Sequence, residues 1–377
     1  MTKPEPELSN SLKAARARRG WSQQQLADAA RVSRQTISGL EAGLYSPSAA
    51  VALRLARALN CSMDDLFWLE DDVQTVTATV PEGKCVGPAT RVALARVGGS
   101  WVAHPLVGRE AFRTEMVPAG GVVTGAASAG QVPVSLLGES HTLSRTVVLS
   151  GCSPALALWA RSAEQRHPGL RVHWIHGNSM RALGSLARGE VHGAGIHLFD
   201  PVTGTHNVPF VRQTIPGRSV ALINLGVWEE GLLVRQGNPR NIRVAEHLAQ
   251  PNVTLVNREE GAGSRLLLDT LLANAGIPPD QVCGYDDTVT SHEAVGERVA
   301  SGAADVGVSS EAIARIFGLD FVAIQPVRYD VAILEEYLHL EPVTALLNTL
   351  QNRWVRSQLA LLGGYDTSST GEVVLVS

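Results

Sequence analysis

Residues 22–42 run Ser22-Gln-Gln-Gln-Leu-Ala-Asp-Ala-Ala-Arg-Val-Ser-Arg-Gln-Thr-Ile-Ser-Gly-Leu-Glu-Ala42. They read as a helix, a tight turn and a second helix. Ser22 suits an N-cap, because its hydroxyl accepts from an orphan backbone N–H. Leu26, Ala29 and Ala30 recur at helical spacing and offer an apolar face. Arg31 and Val32 bridge the turn, Ser33 caps again, and Ile37 and Leu40 are expected to face inward. That leaves Arg34, Gln35, Thr36 and Ser38 outward at the start of the second helix, where a recognition helix presents polar residues to base edges.

Outward from this stretch, Leu8–Arg19 is expected to be a first helix, Ser48–Leu59 a fourth with Val51, Leu55, Ala58 and Leu59 as its stripe, and Asp64–Leu69 a fifth. Trp21 is expected to pack in the core of this domain. The pattern resembles the Xre (Cro/phage-repressor) family through Gln23, Leu26, Ala27, Val32, Ser33, Gln35, Thr36, Ile37, Leu40, Glu41, Gly43 and Pro47. The resemblance implies binding of double-stranded operator DNA through Gln23, Ser33, Arg34, Gln35, Thr36 and Ser38. A homodimer is expected, since one such module contacts few bases alone.

Charge agrees with a DNA-binding head on a different kind of body. Through Leu66 nine Lys and Arg stand against six Asp and Glu, a net +3, which leaves −7 for the rest of a chain whose total is −4. Only the N-terminus is suited to phosphate. At 377 residues and 45% hydrophobic the chain is long enough for two or three domains with sizeable cores. The four cysteines, Cys61, Cys85, Cys152 and Cys283, form no CxxC and read as reduced thiols. With no apolar leader and no membrane-spanning run, a cytoplasmic protein with no membrane partner is expected.

Residues 71–145 change character. Alternation in Val73–Val80 and Arg91–Val97, with frequent Gly, Pro and Ser, reads as short strands. They form either a small β-rich linker domain or strands packed on the C-terminal body. From residue 146 to 364 strands and helices alternate, which implies a parallel sheet with helices on its faces. Strands are expected at Thr146–Leu149, Leu170–Ile175, Ala194–Leu198, Ser219–Leu225, Val253–Asn257, Asp305–Val308, Phe321–Gln325 and Tyr329–Leu334, with one near Val282. Leu232–Arg235 begins a second set. Helices are expected at Pro154–Arg166, Ser179–Arg188, Ser264–Ala275, Ser291–Ala300, Pro342–Leu350 and Trp354–Leu361, with one near Ile242–Leu248. Two successive sets suggest two lobes around a cleft, and residues 365–377 read as a C-terminal tail. The fold class is therefore multidomain: an all-α five-helix head, a β-rich middle segment and an α/β two-lobed body.

Three strand-to-helix turns carry the candidate chemistry of the body. Asn257-Arg-Glu-Glu-Gly-Ala-Gly-Ser-Arg265 has Gly261 and Gly263 to free the backbone, Ser264 to cap, and Arg258 and Arg265 for charge-assisted bonds to an oxyanion. Ser150-Gly-Cys-Ser-Pro154 offers Ser150 and Ser153, with Cys152 as a reactive thiol or a small buried residue. Gly177-Asn178-Ser179 opens the next helix. Each turn alone reads as simple capping; together they favour a ligand cleft beyond the strands' carboxyl ends. His192, His197 and His206, with Asp200 between them, are metal ligands by type. Their spacing places no pair on one helical face, however, and no metal site is expected. No Ser/His/Asp order, paired carboxylates or nucleotide fingerprint emerges, so no catalytic residues are named and no enzyme is expected.

From about Arg145 to Gly364 the chain resembles the periplasmic-binding-protein-like domain of bacterial regulators, a domain type linked with molybdate-responsive and molybdopterin-synthesis proteins. The stretches are Gly195–Asp200, Thr203-Gly204, Asn207, Trp228-Glu229, Gly231-Leu232, Gly237–Pro239, Asn257-Arg258, Gly261–Arg265, Leu267–Asp269, Gly284-Tyr285, Ala303–Gly307 and Arg328–Asp330. Ser153 stands where the family often has Asp, and Ala262 where it often has Ser or Thr. His197 and Asn207, within the matching stretches, complete a candidate ligand set of Ser150, Cys152, Ser153, Asn178, Ser179, His197, Asn207, Arg258, Gly261, Gly263, Ser264 and Arg265. The resemblance implies a one-component regulator that senses a small anion, molybdate or tungstate, with no other cofactor. A molybdenum-cofactor precursor or another anionic metabolite is the alternative ligand. An enzyme tied to DNA binding and an adaptor with a vestigial cleft are alternatives of other classes.

Overall fold

The computed structural model describes residues 8–69, 74–111, 116–167 and 169–377. The acidic stretch Glu70–Val73 lies outside them. The chain divides into two compact units, one up to Thr75 and one from Val76 onward.

The first unit holds four helices, Leu12–Arg18, Gln23–Ala30, Arg34–Glu41 and Ala49–Leu59. Their core is Leu12, Leu26, Ala27, Ala30, Ile37, Leu40, Leu55, Leu59 and Leu66, with Trp21 and Val32 packed against it. The expected fifth helix over Asp64–Leu69 is replaced by a strand. Phe67–Leu69 pairs antiparallel with Leu8–Asn10, which also delays the first helix to Leu12. The reason is non-local: Ser11 donates its N–H to the Leu66 carbonyl, and the Asn10 side-chain amide donates to the Leu40 carbonyl. In the second helix Ala27 is buried and Ala29 exposed, so the apolar face is turned by half a step from the expected one.

In the second unit, Thr75–Thr79, Ser100–Pro105, Arg91–Val97, Gly121–Val123 and Gln131–Leu136 close into a five-stranded barrel around Ala78, Val92, Leu94, Ala103, Val132 and Val134. The barrel also packs on the body. Ala95, Val97 and Val102 belong to the same core as Leu149, Trp159 and Leu183 of the body.

The body is one ten-stranded sheet that is mixed rather than parallel. On one flank Arg171–His176, Thr146–Gly151 and Gly193–Ile196 run parallel. On the other, Thr288–Val289, Leu255–Arg258 and Val306–Ser310 run parallel. Between them lie two antiparallel strands of 15 residues each, Val220–Val234 and Asp320–Leu334. The sequence suggested two short strands in each. Instead the pairing continues through Glu229 opposite Pro326, with register shifts at Asn224/Gly226 and Glu230/Gly231 that bend the strand without breaking it. These crossing strands join the lobes.

Three smaller expectations also give way. Near Ile242–Leu248 only a 3-10 turn, Ala245–Ala249, forms. No strand forms at Val282, which is buried in the second lobe's core after a 3-10 turn, Pro279–Gln281. The C-terminal segment is no loose tail: Tyr365–Asp366 and Val373–Val376 both pair with Val220–Val234. Helices Val208–Thr214 and Glu311–Phe317 were not anticipated. Among the described residues no helix is long and apolar enough to cross a membrane.

Candidate functional site

In the N-terminal unit, Ser22 and Gln25 form a reciprocal capping box, and Ser33 accepts from the Thr36 N–H to start the next helix. Arg31 takes the left-handed conformation, φ +54°, that makes the turn tight. This arrangement leaves Arg34, Gln35 and Ser38 exposed on the first turns of the second helix. Two other nominated side chains are already engaged: Gln23 donates to Glu41, and the Thr36 hydroxyl lies 2.8 Å from that of Ser33. Glu41 in turn holds Arg16 at 2.6 Å. Leu44 and Tyr45, unmarked in the sequence reading, are exposed just beyond the helix, and the Tyr45 hydroxyl donates to the Thr36 carbonyl.

In the body the three strand-to-helix turns do converge. Thr146–Gly151 leads into Pro154–Arg166, capped by Ser153. Arg171–His176 leads into Ser179–Ala187, whose cap is Asn178 rather than Ser179. Leu255–Arg258 leads into Gly263–Asn274, whose N-cap is Ala262 rather than Ser264. The turns of the two lobes touch. Asn178 donates to the Glu260 carbonyl at 3.1 Å and to Glu259 at 3.2 Å, and the Met180 N–H donates to the Gly261 carbonyl. The cleft is closed.

Its interior is a buried cluster. Cys152 Sγ lies 3.2 Å from His197 Nε2 and 3.6 Å from His292 Nε2. His292 Nδ1 is 2.8 Å from the Ser309 hydroxyl, and His197 Nδ1 is 3.6 Å from the Glu230 carboxylate. Ser264 donates to the same carboxylate, and the Ser179 hydroxyl accepts the His197 N–H. Trp228 and Tyr329 pack against the His197 ring at 5.2 and 5.8 Å, and Tyr365 bonds Ser153 at 2.9 Å. Burial disfavours a charge on both imidazoles, with opposite outcomes. Cys152 and Glu230 lift His197 to about 10 in spite of burial. Burial, reinforced by the neighbouring Arg258 and His197, holds His292 well below its ordinary value.

The nominated ligand residues divide accordingly. Cys152, Ser153, Ser179, His197 and Ser264 are in or against the cluster. Arg258 is fully buried; Nη2 meets the Glu259 carboxylate and the Thr290 carbonyl, while Nη1 has no partner among the described residues. The Trp228 indole N–H is likewise buried and unpartnered. Arg265 is turned away: it pairs with Asp269, lies 4.0 Å over the Tyr285 ring and donates to the Arg258 carbonyl. Asn207 is a brace, accepting from the Leu198 N–H and donating to Asp330. Ser150 lines a separate cavity of about 480 Å³ with His176, Gly177, Lys84, Arg181 and Arg188. Of the three clustered histidines only His197 reaches the site. His192 bridges Val148 and Arg96, and His206 packs on Phe199.

Trp228, Glu230, His292, Ser309, Tyr329 and Tyr365 join the site without being among the residues expected there from the sequence. A signal for His292 existed: it follows the helix-capping Ser291, just as Pro154 follows the helix-capping Ser153.

Comparison with known proteins agrees with this architecture. The PBP superfamily domain pattern matches residues 160–351, and the helix-turn-helix pattern matches residues 12–66. The chain is 34% identical over 197 residues to the uncharacterized protein YvgK of Bacillus subtilis (strain 168), covering 52% of this chain and 63% of that protein. It thus spans less than two thirds of that relative's length. It is 42% identical over 65 residues to the uncharacterized HTH-type transcriptional regulator YgzD of the same organism, covering 17% of this chain and 98% of that one. Among solved structures, it is similar to the sulfate-binding protein SubI from Mycobacterium tuberculosis H37Rv, with 17% identity, a TM-score of 0.43, and coverage of 58% of this chain and 86% of that one.

Proposed function

The chain belongs to the PBP superfamily domain family and carries a helix-turn-helix domain ahead of that domain, and from this premise we propose that it is a cytoplasmic, homodimeric transcription regulator controlled by a small anion in the interlobe cleft. Arg34, Gln35 and Ser38 read operator DNA, and Gln23, Ser33 and Thr36 hold the recognition helix in place. The body closes around the ligand, and closure changes the spacing of the two DNA-binding heads in the dimer. Such control requires that the ligand bind one state better than the other.

The observation that carries the anion is Arg258. A guanidinium taken wholly out of water with one nitrogen unpartnered is costly to leave so. An oxyanion oxygen would satisfy it, and the Trp228 N–H offers a second donor. Molybdate or tungstate is the first candidate, from the resemblance of the turns. The cavity beside Ser150 supports a second reading. Its volume of about 480 Å³ and its Lys84 and Arg181, beside Arg188 that is paired with Glu82 and Glu190, suit a larger metabolite carrying an anionic group, such as a molybdenum-cofactor precursor.

Thermal denaturation of the full chain tests this. An anion that binds only the folded state stabilises it by about 2.7 kcal/mol at a hundredfold excess over its dissociation constant. Molybdate, tungstate, sulfate and phosphate are compared with chloride. One oxyanion is expected to raise the melting temperature, and Arg258→Lys, which keeps charge but loses the planar fork, is expected to lose the rise. In gel shifts the same anion should change operator affinity, and Gln35→Ala should cost about 1–3 kcal/mol of base discrimination. No response to any oxyanion, together with a response to a pterin-like anion, would shift the assignment to the second reading.

A further inference from the structure

We infer that Cys152, His197 and His292 form a binding site for a thiolate- and imidazole-preferring metal ion of the zinc class. All three are 3% exposed or less, and their ligand atoms lie within 4.8 Å of one another. The Sγ to Nε2 distances are 3.2 and 3.6 Å. A tetrahedral zinc ion with ordinary Zn–S and Zn–N bonds separates a sulfur from an imidazole nitrogen by about 3.5 Å. Each sulfur–nitrogen pair is within a few tenths of an ångström of that separation.

Ring orientation points the same way. Both histidines present Nε2 to the sulfur and turn Nδ1 outward, His197 toward Glu230 and His292 toward Ser309. A metal-binding imidazole is held with its second nitrogen on a carboxylate or other polar partner; His292 has that bond, to Ser309, whereas His197 Nδ1 faces Glu230 at 3.6 Å, beyond hydrogen-bond length. Binding a divalent ion would break the Cys152 S–H bond; its proton, and any proton on either Nε2, leaves to solvent as the sulfur and both Nε2 lone pairs take the ion.

The donors come from both lobes, Cys152 and His197 from the first and His292 from the second. The ion would therefore act as a clasp on closure. Three protein ligands leave a fourth position for a non-protein donor. Only the identity of that fourth ligand rests on the anion reading above; the three-donor site stands without it.

The test uses the full chain, stripped with chelator and titrated with Co2+, then Zn2+. One Co2+ per chain is expected, with a thiolate-to-cobalt charge-transfer band and the visible spectrum of a tetrahedral ion, both erased by Zn2+. Cys152→Ser should lose the charge-transfer band, and His292→Gln should weaken binding at least tenfold, with circular dichroism showing both variants folded. Three results would overturn the proposal, the first two being a folded chain that takes up neither ion stoichiometrically and uptake that both variants leave unchanged. A third is rapid His197-dependent alkylation of Cys152 in protein that binds no metal, which would mark a nucleophile instead. Because the oxyanion melts can be run on stripped protein, failure of the anion reading and failure of the metal site are read separately.

Discussion

At Gly263 the second lobe's helix starts directly against the first lobe: a Cβ there would overlap the His197 carbonyl oxygen and crowd its ring. The two glycines of this turn serve different needs. Gly261 has φ +86°, a backbone conformation few side chains adopt, whereas Gly263 is required by space alone. Both glycines are conspicuous in the sequence, but only backbone freedom is legible there, because the crowding group is 66 positions away in the chain. Gly263→Ala is therefore expected to lower stability by about 1–3 kcal/mol, as overpacking does. It should also abolish ligand-induced stabilisation by holding the lobes apart. Urea denaturation with and without the cleft ligand measures both, and an unchanged midpoint would mean that the lobes part here at no cost. Arg265 illustrates the opposite error. Its partner Asp269 stands four residues on, a helical pair visible in the sequence, and that pairing takes the side chain away from the anion role given to it.

Among the elements, those built from local signals were legible. Ser153 and Pro154 open a helix that ends where expected, at Arg166. The Ser22 and Ser33 caps delimit the two helices of the N-terminal turn. The long crossing strands were not legible, since strand continuity depends on a partner roughly a hundred residues away. The barrel's attachment to the body was equally hidden. It runs in part through His192, whose Nδ1 accepts from the Val148 N–H at 3.0 Å and whose Nε2 donates to the Arg96 carbonyl at 3.2 Å. The bond from Val148 requires an unprotonated Nδ1, and burial, against the pull of the Arg96 carbonyl, lowers His192 from 6.5 to about 4. A folded-state value below the unfolded one means that the unfolded chain binds more protons between them. The contribution of His192 is thus full above pH 6.5 and falls as the pH drops toward 4. The melting temperature of the second unit should decline across that window, before most carboxylates titrate. His192→Gln should flatten that part of the profile; a slope unchanged in the variant would assign it to other groups.

For the whole molecule, the division into two compact units predicts two calorimetric transitions, one for the helical head and one for the barrel and body. The C-terminal strands give a sharper test. Ending the chain at Gly364 removes Tyr365, which bonds Ser153 and packs on Trp228 at 5.2 Å, and the strand Val373–Val376 that covers Val220–Ile223. The body's transition should fall by several degrees while the head's stays in place, and equal shifts in both would show that the units do not unfold separately. The sequence alone determined that a helix-turn-helix head is followed by an α/β body, with the place of the β-rich middle left open: helix caps, apolar spacing and glycine turns are local, and they mark the helices that open on a serine cap and the strand ends that carry glycine turns. Tertiary structure alone decided which side chains meet inside the cleft. Cys152, His197, Glu230, His292 and Tyr365 are scattered over more than two hundred residues, and only the antiparallel passage of the two crossing strands between the lobes brings them together. Contacts of that range leave no periodicity in the chain to read.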